Sequence, residues 1–214
     1  MWPNWVLGNH DRPRVASRVG SAQARVAAMM LLTFRGTPTM YYGDELGMED
    51  VPLPREALRD GWAKNEPGID VSRDPQRTPM QWDRSQQAGF STVQPWLPLA
   101  ADHDWRNVEA LRADRHSILT LYRRLIALRR ESAALSIGAK RLLRAPRDAI
   151  AFERTHANQC FVVVLNLGQE PCAVDLENRS GRIVLSTHLE REAEAVRGSL
   201  TLGGDEGLVV KIDL

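Results

Sequence analysis

The sequence predicts an α/β segment followed by an all-β domain, and two observations support this prediction. All 6 tryptophans lie in the first half of the 214 residues, whereas the sequence after Gly138 is rich in Val and Leu with regularly spaced turn residues. The first half also holds an apolar run, a helical pattern and a second apolar run within about 35 residues, the arrangement of a βαβ unit. The change in composition places the domain boundary between residues 135 and 136.

Three elements make up the predicted βαβ unit. Trp5–Gly8 is a continuous apolar run, typical of a parallel strand covered on both faces. Residues 21–35 contain many large apolar side chains and no Pro or Gly, so they predict a largely buried helix that Gly36 ends as a C-cap. Thr39–Tyr42 is predicted to form the second strand. Connections of this kind are right-handed and occur in barrels and in doubly wound sheets.

A long loop and a second helix follow the βαβ unit. Residues 49–107 have little periodicity and much Pro, Arg, Asp and Trp, and a loop of this length in a compact domain is usually functional. We expect it to shape a pocket, with its large aromatic residues forming a small core of the loop. Asp114 can cap a helix that runs to about Glu131. One face of that helix is apolar, and the other carries arginines that we interpret as a solvated face: Arg123, Arg124, Arg129 and Arg130.

The all-β domain is predicted from short β-rich runs separated by turn residues such as Pro146-Arg147-Asp148 and Gly203-Gly204-Asp205. The runs are residues 141–143, 149–154, 161–167, 183–186 and 208–212. Short strands with regular turns are typical of antiparallel architectures. We therefore expect residues 136–214 to form a small antiparallel β-sandwich.

Composition and charge exclude several classes of function. A formal charge of +1 results from 28 basic and 27 acidic residues that are interspersed, so no nucleic-acid surface is expected. Two cysteines are too few for a disulfide framework, which favours a reducing, cytoplasmic compartment. No apolar span approaches the roughly 20 residues of a transmembrane helix, so no membrane interaction is expected. Motifs for zinc, calcium and phosphate are lacking, and no metal or cofactor is predicted.

Four segments, in this order, resemble the α-glucosidase and oligo-1,6-glucosidase branch of the α-amylase superfamily, glycoside hydrolase family 13. They are the strand that leads into Asn9-His10-Asp11, then Arg35–Met48, Arg73–Asp83 and Ala88–Phe90. The resemblance covers roughly the whole chain. It implies that residues 1–135 are the C-terminal portion of a (β/α)8 TIM barrel, with its last two strands and helices, and that residues 136–214 are the β domain that follows the barrel.

The resemblance also implies roles for individual residues. Asp11 would be the carboxylate that stabilises the transition state, His10 would bind hydroxyls of the same sugar, and Arg73 would close the pocket around it. Arg12 could reach the next sugar, although a scaffold ion pair fits it equally well. From the residues alone, Asp11 could instead cap a turn, His10 could fill a core site, and Arg73 could form an ion pair within the loop. Arg77 is interpreted as fixing the loop.

A second group of residues invites a different chemical interpretation. Tyr41, Tyr42, Asp44 and Glu45 place two carboxyl groups beside aromatic rings, a setting in which pKa values can separate for acid and base catalysis. In the resembled family this segment ends a barrel strand and braces the barrel. We therefore expect these residues to be structural.

The implied activity is that of a retaining α-glucosidase, which releases glucose from the non-reducing ends of oligosaccharides of the maltose, isomaltose or sucrose type. In the family the nucleophile and the proton donor lie on earlier strands, so this chain alone is expected to be inactive, and its unpaired barrel strands predict self-association. Two alternatives stay open. One is a transglycosylating or isomerising relative such as sucrose isomerase or trehalose synthase, and the other is a non-catalytic glucosidase-like subunit.

Overall fold

The computed structural model describes residues 1–65 and 72–214, without the side chains of residues 63 and 64. The chain divides into two compact units. The sheet unit comprises Met1–Trp5, Ala22–Thr39 and Thr120–Leu214. The loop unit comprises Val6–Ser21 and Met40–Leu119. The two units are described separately below.

Two short strands pair near the beginning of the chain. Strand β1 is Asn4–Val6 and strand β2 is Thr37–Thr39. Each lies slightly earlier than predicted, and Val6 is 42% exposed, so the expectation of a strand covered on both faces was wrong. The reason is that such burial needs further strands or helices on both sides. Within the described residues, β1 and β2 form a sheet of two strands.

Helix α1, Val15–Thr33, connects these strands. It begins before the predicted residue 21, but Gly20 has φ 82° and ψ 160°, so a kink separates its first turns from the predicted part. Gly36, with φ 142°, is not in the left-handed conformation of a C-cap. A Cβ on Gly36 would lie 2.6 Å from the Pro3 carbonyl oxygen and 2.7 Å from Trp5 Nε1. Glycine is therefore required there because β1 approaches closely.

Four further helices lie between β2 and the last part of the chain: α2 (Gly61–Asn65), α3 (Val108–Ala113), α4 (Ile118–Glu131) and α5 (Ala133–Ser136). Asn107 caps α3, because its side-chain oxygen accepts the Ala110 N–H at 2.8 Å. The predicted cap for one helix from Asp114 was wrong. Asp114 has extended backbone angles and ends α3, and α4 begins at Ile118. Outside α2 and two 3₁₀ turns, the described part of the long loop is irregular as expected.

Arg129 of α4 does not belong to a solvated face. Its Nη1 donates to the Leu32 and Phe34 carbonyls at 2.8 and 3.1 Å, and its Nη2 donates to the Gly36 carbonyl at 2.6 Å. Arg154, which is fully buried, donates to the Thr33 carbonyl. Carbonyls at a helix C-terminus lack intrahelical partners and carry partial negative charge. The two arginines therefore satisfy the end of α1 inside the sheet unit.

The remaining strands form one antiparallel sheet of six strands in the order β3-β4-β5-β8-β6-β7. Their bounds are β3 Ala139–Leu143, β4 Ala149–His156, β5 Gln159–Asn166, β6 Cys172–Ser186, β7 Ala195–Leu202 and β8 Gly207–Ile212. The antiparallel pairing was expected. The structure shows a single continuous sheet where a sandwich of two sheets was predicted. Strand β7 was missed.

Strand β5 is buried on both faces of this sheet, with Cys160 to Asn166 all buried. On one face, Val162 and Val164 belong to an apolar cluster that draws residues from β4 to β8. The opposite side of the sheet carries Phe152, whose ring packs edge-on against Phe34 with centroids 5.0 Å apart. Since burying an apolar side chain stabilises a fold by about 1.5–3 kcal/mol, this strand contributes heavily to the sheet unit.

The loop unit has its own small core. Leu46, Met48 and Met80 are buried, and partly buried apolar residues of α3 and α4 pack against them. Two tyrosine hydroxyls tie the following loop to this region, because Tyr41 donates to the Gln76 carbonyl at 3.3 Å and Tyr42 donates to the Thr78 carbonyl at 2.7 Å. This core positions the residues of the candidate site. Among all the residues that the structure describes, no helix combines the length and apolar character needed to cross a membrane.

Candidate functional site

The turn after β1 rests on a buried carboxylate. A Cβ on Gly8 would lie 2.7 Å from Asp44 Oδ2, so only glycine allows the chain to pass Asp44 here. Arg18 donates to the carbonyl of Leu7. Directly after this turn, the side-chain oxygen of Asn9 accepts the Asp11 N–H at 2.9 Å, as in an Asx turn. These contacts fix the backbone that presents Asp11.

The carboxylate of Asp11 is surrounded by three cationic or basic side chains. Its Oδ1 lies 3.0 Å from Arg73 Nη1 and 3.3 Å from Arg77 Nη2, and its Oδ2 lies 3.3 Å from His10 Nε2. The side chain remains 49% exposed. The structure thus brings His10, Asp11 and Arg73 together. Arg12 is also exposed, and the second arginine at Asp11 is Arg77.

Arg73 is held from behind by Asp60. Its Nε lies 2.9 Å from Asp60 Oδ2 and its Nη2 lies 2.8 Å from Oδ1, while its backbone N–H donates to Oδ2 at 2.9 Å. The Asp60 side chain is 2% exposed. Hydrogen bonds from Arg73 hold the pKa of Asp60 well below its usual range, and the same bonds, followed by those to Asp11, raise the pKa of Arg73. Both groups are therefore charged at neutral pH.

A further buried carboxylate supports Asp60. The Oδ2 atom of Asp74 accepts the Asp60 N–H at 2.7 Å and also accepts the Arg59 N–H. The Asp74 backbone N–H donates to Ser72 Oγ at 3.1 Å. Sequence reasoning missed both aspartates. Asp74 stood beside Arg73 in a recognised segment, whereas Asp60 lies in an irregular loop where no spacing pattern marks it.

Arg77 contacts both the backbone and the carboxylate at the site. Its Nε donates to the His10 carbonyl at 3.0 Å, in addition to its ion pair with Asp11, and Gln76 Nε2 lies 3.5 Å from the same carbonyl. The expectation that Arg77 fixes the loop agrees with the first contact. The ion pair adds a second positive charge at Asp11 that sequence reasoning did not foresee.

The Tyr41–Glu45 segment lies beneath the site and is not exposed to solvent as a catalytic pair would be. Burial raises the pKa of Asp44 to about 6 and also raises the pKa of Glu45. Arg14, fully buried, donates from Nη1 to the Tyr42 carbonyl at 2.7 Å, and its guanidinium lies 4.8 Å from the centre of the Tyr42 ring. These contacts support the backbone, in agreement with the structural interpretation.

The tryptophans of the long loop do not form a core, so that expectation was wrong: Trp62, Trp82 and Trp96 are all exposed. The loop buries its polar supports, Asp60 and Asp74, and leaves these rings at the surface. The Trp62 ring lies next to the site, with its centre 5.5 Å from the guanidinium carbon of Arg73.

The site can present a fixed negative charge to a neutral, polar ligand. Asp11 keeps part of its carboxylate accessible, while His10 and two arginines place hydrogen-bond donors around it. Such a set can bind hydroxyl groups and can stabilise a positive charge that develops nearby. Within residues 1–65 and 72–214, no group of three or more potential metal ligands is found.

Comparison with known protein families gives one match to a large part of the chain. Residues 1–138 match the family model described as the catalytic domain of α-amylase. Among curated proteins, Maltase A1 of Drosophila melanogaster is 36% identical over 217 residues, which cover 99% of this chain and 36% of that protein. The amino acid transporter heavy chain SLC3A1 of Mus musculus is 34% identical over 220 residues, which cover 98% of this chain and 31% of that protein.

Solved structures agree with these matches. The trehalulose synthase MutB from Pseudomonas mesoacidophila superimposes with a TM-score of 0.88 at 31% identity, covering 99% of this chain and 43% of that chain. The chain therefore spans between 31% and 43% of the length of these three proteins. The likeness extends through both the α/β segment and the six-stranded sheet.

Proposed function

Because this chain belongs to the α-amylase family, we propose that it supplies the part of an α-glucosidase site that holds the non-reducing sugar and stabilises the transition state. The observation that carries this proposal is the Asp11 carboxylate, which is half exposed and fixed between Arg73, Arg77 and His10. The curated relative Maltase A1 is named for activity on a short glucoside. The substrate class we propose is the α-linked gluco-oligosaccharide.

In this proposal Asp11 acts on charge and not as a nucleophile. Glycoside hydrolysis passes through an oxocarbenium-like transition state, and a fixed carboxylate beside the sugar ring stabilises its positive charge. The donors of His10 and Arg73 hold ring hydroxyls, which sets the sugar in place before the reaction. The same arginine charges keep Asp11 ionised, since an adjacent cation favours the charged form of a carboxyl group.

A retaining mechanism also needs a nucleophile and a proton donor about 5 Å apart. Asp60, on the far side of Arg73, fits neither role, because both of its oxygens accept hydrogen bonds from Arg73 and its pKa lies below the usual range. Asp44 and Glu45 are committed to the supporting segment. We therefore assign the covalent step to carboxylates outside this chain and expect the 214 residues alone to be inactive.

The same proposal covers the domains. Residues 1–135 correspond to the last strands and helices of a (β/α)8 barrel, and residues 136–214 correspond to a β domain that follows it. Its support is the match of residues 1–138 to the catalytic-domain model and the likeness of the whole chain to MutB.

Two relatives motivate alternatives. The likeness to a trehalulose synthase favours an isomerising enzyme, in which the glucosyl unit is transferred to a sugar instead of to water. The 34% identity with a transporter heavy chain favours a non-catalytic subunit. Retention of Asp11 between two arginines supports a sugar site in either enzyme. A subunit without such a site would be indifferent to the charge of Asp11, which gives the discriminating experiment.

The test is calorimetric titration of glucose into the 214-residue chain, with Asp11→Asn, Arg73→Ala and the exposed control Asp104→Asn. We expect glucose binding that is weakened by both site variants and unchanged by the control, with no turnover of p-nitrophenyl α-glucoside. Absence of glucose binding, or binding indifferent to Asp11 and Arg73, would contradict the sugar site. Turnover that Asp11→Asn abolishes would contradict the assignment of the covalent step to other residues.

A further inference from the structure

Helix α2 forms a wall of a cleft that opens on the side of Arg73 away from Asp11. The cleft has a volume of about 480 Å³ and is lined by Gly61, Trp62, Asn65 and Arg73. This volume lies within the range of roughly 300–1,000 Å³ that is typical of small-molecule sites. The lining combines an aromatic ring, an amide and a guanidinium, so it offers one apolar surface and several hydrogen-bond donors.

The Trp62 ring is fixed and yet accessible. The guanidinium of Arg73 lies 5.5 Å from its centre, and the Trp62 N–H donates to Asp60 Oδ1 at 3.3 Å. Asp60 therefore holds both the arginine and the tryptophan. The side chain nevertheless remains 55% exposed. A large aromatic residue that is exposed and held in place beside a polar cleft is typical of a binding surface.

Arg73 connects this cleft with the carboxylate of the proposed sugar site. Its Nη1 faces Asp11 at 3.0 Å, while the guanidinium carbon faces Trp62. One side chain thus borders both places, and a ligand of two linked rings can contact both sides of it. A ligand of one ring that binds at Asp11 has no need of the tryptophan.

We propose that the Trp62 cleft binds the second sugar unit of an oligosaccharide whose first unit lies at Asp11. This inference rests on the proposed function. The apolar C–H face of the second ring stacks on the indole, and its hydroxyls receive hydrogen bonds from Arg73 and Asn65. The cleft then selects disaccharides and longer oligosaccharides over monosaccharides, because only the longer ligands extend past Arg73.

The chain contains a closely matched control for Trp62. Trp105 is 56% exposed and lies in the same unit, and the guanidinium of Arg106 lies 5.0 Å from the centre of its ring. Residue type, exposure and arginine contact are therefore the same at both positions. The difference is that Arg106 pairs with Asp102 and Glu49, away from Asp11.

The experiment is titration of glucose and of maltose into the 214-residue chain and into its variants Trp62→Ala, Trp62→Phe, Trp105→Ala and Asp11→Asn. We expect Trp62→Ala to weaken maltose binding about tenfold while leaving glucose binding unchanged. Trp62→Phe keeps a ring and should retain most of the maltose affinity. Trp105→Ala should change neither ligand, and Asp11→Asn should weaken both.

The outcomes separate the two proposals. Equal maltose affinity in Trp62→Ala and wild type, with a loss in Asp11→Asn, overturns the Trp62 cleft and leaves the sugar site at Asp11 standing. Equal losses in Trp62→Ala and Trp105→Ala also overturn it. Affinities for both sugars that do not respond to Asp11→Asn overturn the proposed function itself. If Trp62→Ala does not fold, Trp62→Phe is compared with Trp62→Leu, and equal maltose affinity in these two variants overturns the role of the ring.

Discussion

Asp60 grips Arg73 at two points, with Nε and Nη2 of the guanidinium 2.9 and 2.8 Å from its two carboxylate oxygens. A guanidinium is planar, so fixing two of its nitrogens also fixes the direction of the third. That third nitrogen, Nη1, lies 3.0 Å from Asp11. The position of the donor at the proposed sugar site is thus set by a carboxylate on the other side of the arginine, in a loop that local sequence rules leave undefined.

Replacing Asp60 by Asn should destabilise the chain by about 2 kcal/mol, because a charge-assisted hydrogen bond contributes roughly 1.5–3 kcal/mol. Arg73 is about one-third exposed, so solvent limits the loss. Urea denaturation measures it, with exposed Asp104→Asn as the control. A variant as stable as wild type would show that the fork does not hold the loop.

Asp44 should make stability fall as pH rises from about 4 to about 6. Its pKa is about 6 in the folded chain, against about 3.9 when unfolded. Between these values the folded chain binds more protons than the unfolded chain, so raising the pH costs stability, up to about 3 kcal/mol. Asp44→Asn, which cannot ionise, should therefore gain on wild type as the pH rises.

Urea denaturation of wild type and Asp44→Asn at pH 4.5 and pH 7.5 tests this dependence. The exposed variant Asp104→Asn serves as the control, because its difference from wild type should not change across the same window. A stability difference between Asp44→Asn and wild type that is equal at the two pH values would show that burial does not perturb this carboxyl group.

Two adjacent arginines of α4 should respond very differently to truncation. Arg129→Ala leaves the carbonyls of Leu32, Phe34 and Gly36 without their donors, and should cost about 2–3 kcal/mol. Arg130 is exposed, so Arg130→Ala should change stability by less than about 0.5 kcal/mol. Thermal or urea denaturation compares them. Similar small effects would return Arg129 to the solvated face that the sequence predicted.

Two glycines with positive φ separate steric overlap from backbone strain. Gly198→Ala meets no atom within 4 Å, so it should cost only the roughly 1–2 kcal/mol of its left-handed backbone. Gly36→Ala would also overlap the Pro3 carbonyl and the Trp5 ring, so it should cost about 3 kcal/mol or more. If denaturation gives equal losses, β1 does not approach Gly36 as closely as the structure indicates.

In an active protein that contains this chain, Asp11 and Arg73 should give different kinetic signatures. Asp11→Asn keeps the size of the side chain but removes the charge facing the oxocarbenium, so kcat should fall by roughly a hundredfold or more. Arg73→Ala removes a contact present before the reaction, so KM should rise, and Arg73→Lys should rescue it poorly. Initial-rate kinetics with maltose measure both. Small and equal effects on kcat and KM would mean that the site lies elsewhere.

The sequence by itself determined the segments that carry their signal in consecutive residues. The turn Asn9-His10-Asp11, the amphipathic face of α4 and the short strands with intervening turns could all be recognised, because apolar periodicity and turn chemistry are local properties. The helical part of α1 was found for the same reason. Exact strand bounds were not, because the ends of β1 and β2 depend on which residues pair across 30 or more positions, as between Trp5 and Arg35.

Only the tertiary structure decided which charges meet. Asp11 and Arg73 are separated by 62 positions and Asp60 and Arg73 by 13, and no pattern of spacing predicts ion pairs across an irregular loop. Burial was decided at the same level: the loop buries Asp60 and leaves Trp62 exposed, the reverse of what residue type suggests. A carboxylate can be buried when a guanidinium satisfies both of its oxygens, and that condition depends on the path of the whole chain.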